Sequence, residues 1–511
     1  MPNVELIRAT APLILAIDIG SSSVRSLLYD AAGRQVNGSE CQLGHVFRTD
    51  TDGAAEAVPT ALLAHVVTCV DATLEFGGDR NIDIGAVAAS SFWHSLMGID
   101  GDGNPTTPVF TWADKRAGVE VKELTREFSI EEAIGATGCR IHSSYWPAKL
   151  RWIRHERRDE FVHTTMWLSF ADFLALKLTG QALTSISMAS GTGLLAVEDL
   201  IWHAPIVAAA GISMNQLPPI IDRNDPLSAL IPEFRQRWPA LVGVPWFPAI
   251  GDGAAANVGA GCVGADRIAL TVGTSGAMRT IILADERVPG SPPGQLWVYR
   301  LDRARCVIGG ALSNGGNVTS WLADRFSGGD FAALSDEASH IDPDLHGLTI
   351  LPFLAGERSP SWDDKATGVF AGLTLATTPA EIYRATLEAT AYRFAAIYDD
   401  LDGVVGNDHE IHANGAAVLN SPLWLQIMSD VLGHSIDALD AEAEASARGA
   451  AICALESLGV WPSLRPASSD VIHRYRPDES TRSAYREGRA RQRRLEQAMQ
   501  ALEALEALET H

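Results

Sequence analysis

Residues Val244–Ala277 read VPWFPAIGDGAAANVGAGCVGADRIALTVGTSGA, and the reading of the whole chain starts there. An apolar run, Val244 to Ile250, predicts a strand that stops at Gly251-Asp252-Gly253. Small residues from Ala254 to Gly261 follow and read as a helix. A second apolar run ends in Thr271-Val272-Gly273-Thr274-Ser275-Gly276. A carboxylate between two glycines at a strand end can face a ligand without crowding. Glycines and hydroxyls at a strand-to-strand turn can offer N–H and O–H donors to phosphate. Each feature alone is commonly just a turn; it is their adjacency that suggests a site.

Length and composition bound what surrounds this stretch. With 511 residues and 46% hydrophobic content, the chain predicts two domains of roughly 200–250 residues. We place them at residues 1–250 and 251–461, with 462–511 as a linker and a C-terminal helix. A formal net charge of −23 argues against nucleic acid as the main partner, but not against a small anionic substrate. Six cysteines without a CxxC pair argue against zinc and against a disulfide framework, and predict a reducing, cytoplasmic setting. No run of about 18 uninterrupted apolar residues occurs, so no membrane partner is expected.

Working outward, the segment Ala16-Ile17-Asp18-Ile19-Gly20-Ser21-Ser22-Ser23 repeats the pattern of Ala269 to Gly276. Both are apolar strands that end in glycine and hydroxyls and continue into another apolar strand, Val24 to Tyr29 and Met278 to Ala284. Asp18 falls on Thr271, Gly20 on Gly273, and Ser21 on Thr274. Two such hairpins in phase predict duplicated halves with a phosphate-binding turn apiece, and a nucleotide held in the cleft between them. This plan resembles the actin, hexokinase and heat-shock chaperone superfold. The expected fold class is therefore α/β, two duplicated ribonuclease-H-like domains with an interdomain cleft.

Further segments narrow the resemblance. Gly368-Val369-Phe370-Ala371-Gly372-Leu373, seven residues, then Glu381 to Glu388 matches a signature of the FGGY carbohydrate kinases. A second family signature is approximated at Tyr145 to Ile153, where Trp146 and His155 depart from it. Within the family, Ser91–Leu96 (SFWHSL), Thr111–Arg116 (TWADKR), Thr137–Trp152 and Gly356–Thr374 look most like gluconokinases. Xylulokinases also have His at the position of His94, whereas glycerol kinases have Arg-Glu at Trp93-His94, which argues against glycerol. The wording of His142–Trp146 and of Asn414-Gly415-Ala416 departs from the usual gluconokinase pattern.

The resemblance implies roles. Asp252 would be the general base that takes the hydroxyl proton, and Asp18 would stand near Mg²⁺ through water. Ser21, Ser22, Arg25 and Thr274 match positions beside the β- and γ-phosphates of ATP. Gly316, Ser320, Ala416 (through its backbone) and Asn420 match positions beside the nucleotide. For the sugar, the resemblance points to His94, Trp112, Asp114 and Lys149, then to Trp93 and Arg358. Each has an ordinary alternative: Trp112 as core, Asp114 paired with Arg116, Lys149 as a helix-surface charge. A gluconate carboxylate would need a cation, for which Lys149, Arg140 and Arg116 all qualify.

The expected activity is phosphorylation of D-gluconate by ATP. The alternatives are a ketopentose such as xylulose or ribulose, and a non-catalytic actin-like ATP-binding protein. The stretch from Pro462 to Pro477 reads as a linker. Ala484 to Leu508 reads as an exposed helix that needs docking because its charges oppose the macrodipole; it would suit packing or a homodimer.

Overall fold

The computed structural model describes residues 3–78, 82–284, 292–326, 330–406, 408–439, 445–464 and 471–509. The first sheet has five strands: β1 Leu13–Ile19, β2 Ser23–Tyr29, β3 Cys41–Gly44, β4 Ile84–Ser91 and β5 Ile250–Gly251. Their order is β5-β4-β1-β2-β3, with β1, β2 and β3 antiparallel and β4 and β5 parallel to β1. The apolar run before Gly251 yields only two residues of ladder. Pro245 and Pro248 have no N–H to give, so Val87 is bridged by the Pro245 carbonyl and the Phe247 amide instead.

The second sheet has seven strands: β6 Arg267–Val272, β7 Gly276–Leu283, β8 Trp297–Arg300, β9 Arg305–Leu312, β10 Glu410–Asn414, β11 Ile436–Leu439 and β12 Val471–Tyr475. The order β8-β9-β7-β6-β10-β11-β12 contains β9-β7-β6-β10-β11, the same topology and strand directions as the first sheet. The duplication predicted from two hairpins is thus a duplication of whole sheets. The first turn closes with Gly20 N–H on the Ser23 carbonyl (2.9 Å), the second with Gly273 N–H on the Ser275 carbonyl (3.0 Å). One expectation is corrected: the stretch read as a linker contributes β12, an edge strand on β11. Its residues 465–470 lie outside the described residues.

Strand β1 is buried on both faces, as its unbroken apolar run requires. Leu15, Ile17 and Ile19 pack with Leu62, Val66 and Val70 of α1 (Pro59–Gly77). Among the described residues, α1 alone is long and apolar enough to cross a membrane. Its Thr73 hydroxyl donates to the Ser26 carbonyl of the sheet, and its Asp71 accepts from Arg237 and Trp238.

Two helices cross between the halves. The chain runs from β5 of the first sheet into α2 (Asp252–Gly259), whose Asn257 donates to the Arg279 carbonyl on β7 of the second (3.1 Å). Helix α3 (Pro379–Leu401), begun by a Thr378–Glu381 capping box, lies under the second sheet. Helix α4 (Ala445–Ser457) follows β11, yet its Ala447, Ala450 and Ala451 pack with Ile14 and Ala16 of β1. Helices α2 and α4 touch backbone to backbone. A Cβ at Gly259 would meet the Ala445 carbonyl at 1.9 Å, and one at Gly449 the Ala255 carbonyl at 1.8 Å. The small residues of Ala254–Gly261 are explained by that contact.

Helix α5 (Arg482–Glu509) is docked rather than exposed along its first half. Buried Tyr485 accepts from Arg384, and buried Gln492 donates to the Ile350 and Ala389 carbonyls. Glu496 meets Arg393 at 2.7 Å. Anchoring is by polar groups; Leu502 and Leu505, further along the helix, are exposed.

Candidate active site

The C-terminal ends of β1, β4, β5 and β6 point into one cleft of about 900 Å³, open solvent included. Ser21, Trp93, His94, Trp112, Asp252 and Arg358, all anticipated from sequence, line it together with Gly273 and Ser275 of the second turn. Asp252 is the first residue of α2, and the Gly253 amide donates to its Oδ1 (2.8 Å). A helix start by itself favours the ionised carboxyl. Instead burial pushes it above the ordinary Asp value, against the Arg279 guanidinium and the Gly253 amide.

Asp18, near the end of β1, is buried, and the Ser90 hydroxyl donates to its Oδ1 (2.6 Å). Burial pushes it up to about 6; Ser90 and Arg25 oppose the shift, and the Asp252 charge adds to it. The Asp18 and Asp252 carboxylates feel each other's charge beside the glycine-hydroxyl turns, and their hard oxygens are of the kind that suits Mg²⁺. Asp18 fits such an ion, because Ser90 occupies only one of its oxygens.

His94 has a positive φ of 68° and hangs its ring into the cleft. Its Nδ1 lies 2.5 Å from the Gly191 carbonyl, and burial lowers its pKa to about 3. The ring is therefore neutral, with the proton on Nδ1 and Nε2 left to accept a hydroxyl. Trp93 donates Nε1 to the Ser187 carbonyl (2.9 Å) and meets Tyr299 edge-on, ring centroids 4.8 Å apart. Tyr299 stacks on Trp297 at 4.0 Å and shares a 2.6 Å hydroxyl contact with Tyr145. This aromatic wall on β8 was not anticipated.

The cations divide sharply. Arg116 is spent on Asp114 and Glu56, both at 2.5 Å, and Asp114 also accepts from the Ala55 amide. Lys149 is buried and donates to the Ser143 and Ser144 carbonyls at 2.7 Å each. Arg140 donates to the Gly294 carbonyl. None of these side chains lines the cleft. Arg358 does: its guanidinium lies 4.6 Å over the Trp112 ring, with a buried Nε that has no hydrogen-bond partner. Arg279, also missed from sequence, lines it from β7. Neither has a carboxylate within 4.0 Å among the described residues. The signal for Arg279 was a single cation in the apolar strand GAMRTIIL, which demands a buried partner.

Of the residues expected beside the nucleotide, Ser21, Ser22 and Thr274 are exposed at the two turns. Arg25 is the cross-strand partner of Asp18, with Nε 3.9 Å from Glu40. The Gly316 amide is occupied by the Gly273 carbonyl (2.8 Å), so this residue braces the second turn. A Cβ on Gly316 would also strike Ala417. The helix starts that carry Ser320 and Ala416 are thereby brought together, and Ser320, Ala416 and Asn420 are exposed.

Residues 13–259 match the model of the FGGY family of carbohydrate kinases, N-terminal domain, and residues 268–458 that family's C-terminal domain. The chain is 28% identical to a gluconokinase of Bacillus subtilis (strain 168), over 93% of each chain. It is 25% identical to a xylulose kinase of Lactococcus lactis subsp. lactis (strain IL1403), covering 90% of this chain and 91% of that one. Among solved structures, a ligand-bound xylulose kinase from Lactobacillus acidophilus superposes with a TM-score of 0.87, at 25% identity over 96% of this chain and 98% of that one. A gluconate kinase from Lactobacillus acidophilus gives 0.85, at 25% identity over 95% and 98%.

Proposed function

Because the chain belongs to the FGGY family of carbohydrate kinases, we propose that it phosphorylates D-gluconate at its 6-hydroxyl, using ATP. The observation that carries the choice of a sugar acid is Arg358. It is a cleft guanidinium stacked on Trp112, with a buried unpartnered Nε–H and, among the described residues, no carboxylate within 4.0 Å. A substrate carboxylate supplies what it lacks. The gluconokinases among the relatives support the same reading.

The sugar lies between Asp252 and the surface formed by His94, Trp112 and Arg358. His94 Nε2 accepts one hydroxyl, Trp112 packs on the carbon chain, and Arg358 takes the carboxylate at the far end. That leaves the 6-hydroxyl beside Asp252. Its oxygen attacks the γ-phosphorus in line as the bond to ADP breaks, and Asp252 accepts the proton. Asp18 would hold Mg²⁺, whose chemistry there would be to neutralise phosphate charge. Ser21, Ser22 and Thr274 hold the phosphates by hydroxyl and amide, and the rim of Ser320, Ala416 and Asn420 receives the adenosine.

A ketopentose kinase is the second reading, favoured by the xylulose kinases among the relatives and the superposition of 0.87. Coupled ADP release over aldonates, pentuloses, polyols and glycerol separates the two. Turnover of D-gluconate, lost on the order of 10²-fold in kcat/KM by R358A, is expected. Strong turnover of D-xylulose or D-ribulose with none of gluconate replaces the sugar and leaves the kinase intact.

A further inference from the structure

Arg279 sits at the reacting end of the cleft and is held there rigidly. Its Nε donates to Asn257 Oδ1 (3.2 Å), and Asn257 Nδ2 donates back to the Arg279 carbonyl (3.1 Å). Its Nη2 donates to the Thr271 hydroxyl (3.1 Å), two residues before the glycine of the second phosphate turn. Its Nη1 lies over Gly253, where a Cβ would come within 2.6 Å of it. No hydrogen bond from Nη1 to a described residue is present. Three fixed points therefore surround one space: the base Asp252, the Gly273–Gly276 turn, and this guanidinium.

We propose that Arg279 is a catalytic residue of phosphoryl transfer, its free Nη1 face contacting the γ-phosphoryl group as it passes from ATP to the sugar. Charge spreads over the equatorial oxygens of that group in the transition state. A cation already oriented in a water-poor cleft stabilises it without reorganisation. Held by Asn257 and Thr271, Arg279 loses little side-chain freedom on engaging phosphate. The placement separates the two cleft guanidiniums by task. Arg358 stacks on Trp112 with the sugar-facing residues, whereas Arg279 lies against the start of the helix that carries the base. The two are within reach of each other's field, since the Arg358 charge depresses Arg279. Burial lowers Arg279 to about 10, so it stays charged at neutral pH.

The inference rests on phosphoryl transfer, not on which sugar is the acceptor. The test therefore uses whichever sugar the substrate panel returns. R279A is expected to lower kcat about 10²–10³-fold while the sugar KM stays within about threefold. It should bind ADP as the parent does and lose about 10²-fold in affinity for ADP with aluminium fluoride and sugar, a planar phosphoryl mimic. A purely bracing role would weaken ADP and its fluoroaluminate adduct alike. Equal losses for the two, a kcat within about threefold of the parent, or a defect confined to KM would overturn the inference. Should R279A melt early, R279M keeps the aliphatic stem and faces the same two outcomes. Failure here leaves gluconate turnover untouched as a question, and failure of gluconate leaves this one standing.

Discussion

The indole of Trp93 lies so close to Gly251 that a Cβ at that glycine would meet its Cε2 at 1.9 Å. On the other side of Asp252, Gly253 is pressed by Trp93 and by Arg279, at 2.7 and 2.6 Å from the same hypothetical atom. The glycines of Gly251-Asp252-Gly253 are thus dictated by an aromatic ring and a guanidinium of the protein itself. G251A must displace an indole already bonded to Ser187, which costs about 1–3 kcal/mol. The shift would carry Asp252 with it and lower kcat about tenfold or more. Urea unfolding and steady-state rates check both; unchanged values would show that the indole yields freely.

D252N is expected to fold, to bind ATP, and to lose about 10²–10⁴-fold in kcat. Single-turnover measurements separate the chemical step from binding. Wild-type turnover by this variant would rule out the proposed role of Asp252 as base.

Sequence carried far where its signals were local. The turn after Ile19 and the turn after Val272 each declare themselves in five or six residues, and two of them in phase imply the duplicated sheets. The strand before Gly251 was over-read because apolar periodicity ignores that Pro245 and Pro248 cannot donate. The edge strand β12 was missed because Val471 and Ile472 are exposed, so its residues lack the pattern of a buried strand. In the site, Asp252, His94, Trp112 and Arg358 came from motifs. Arg279 and Tyr299 did not, since their value comes from partners far along the chain: Asn257 for one, Tyr145 for the other. Asp114 and Lys149 show the converse. Their motif is legible, but only contacts reveal that their side chains are already engaged.

Asp18 gives the apo protein a pH signature. Its pKa is raised from 3.8 to about 6, chiefly by burial. A raised carboxyl favours folding in its protonated form. Its contribution is full below 3.8 and is lost as pH rises through about 6. The whole span is worth about 3 kcal/mol, of which about 1–2 kcal/mol falls between pH 5 and 8. D18N has no charge to bury. In magnesium-free buffer it should gain on the parent by that amount between pH 5 and 8, as read by urea unfolding. A constant difference across the range would mean that Asp18 is ionised throughout.

Glu496 of α5 connects the C-terminal helix to the cleft in three steps. It meets Arg393 at 2.7 Å, Arg393 grips Glu357 at 2.5 and 2.9 Å, and Glu357 precedes Arg358 in the chain. The two carboxylates are not equivalent. Glu357 is buried and pushed up to about 7, chiefly by desolvation, with the Glu496 charge adding to the shift. Glu496 has 15% of its side chain exposed. Removing Glu496 takes away a charge that opposes ionisation of Glu357 beside Arg393, so E496A should cost only about 1 kcal/mol and leave the sugar KM alone. Removing Glu357 strands a buried guanidinium and loosens the backbone beside Arg358. E357A should therefore cost about 3–5 kcal/mol and raise the sugar KM. Urea unfolding with KM for each variant decides between them. Equal and small losses would mean that Arg393 is held by the Phe353 ring, 5.0 Å below its guanidinium, rather than by either carboxylate.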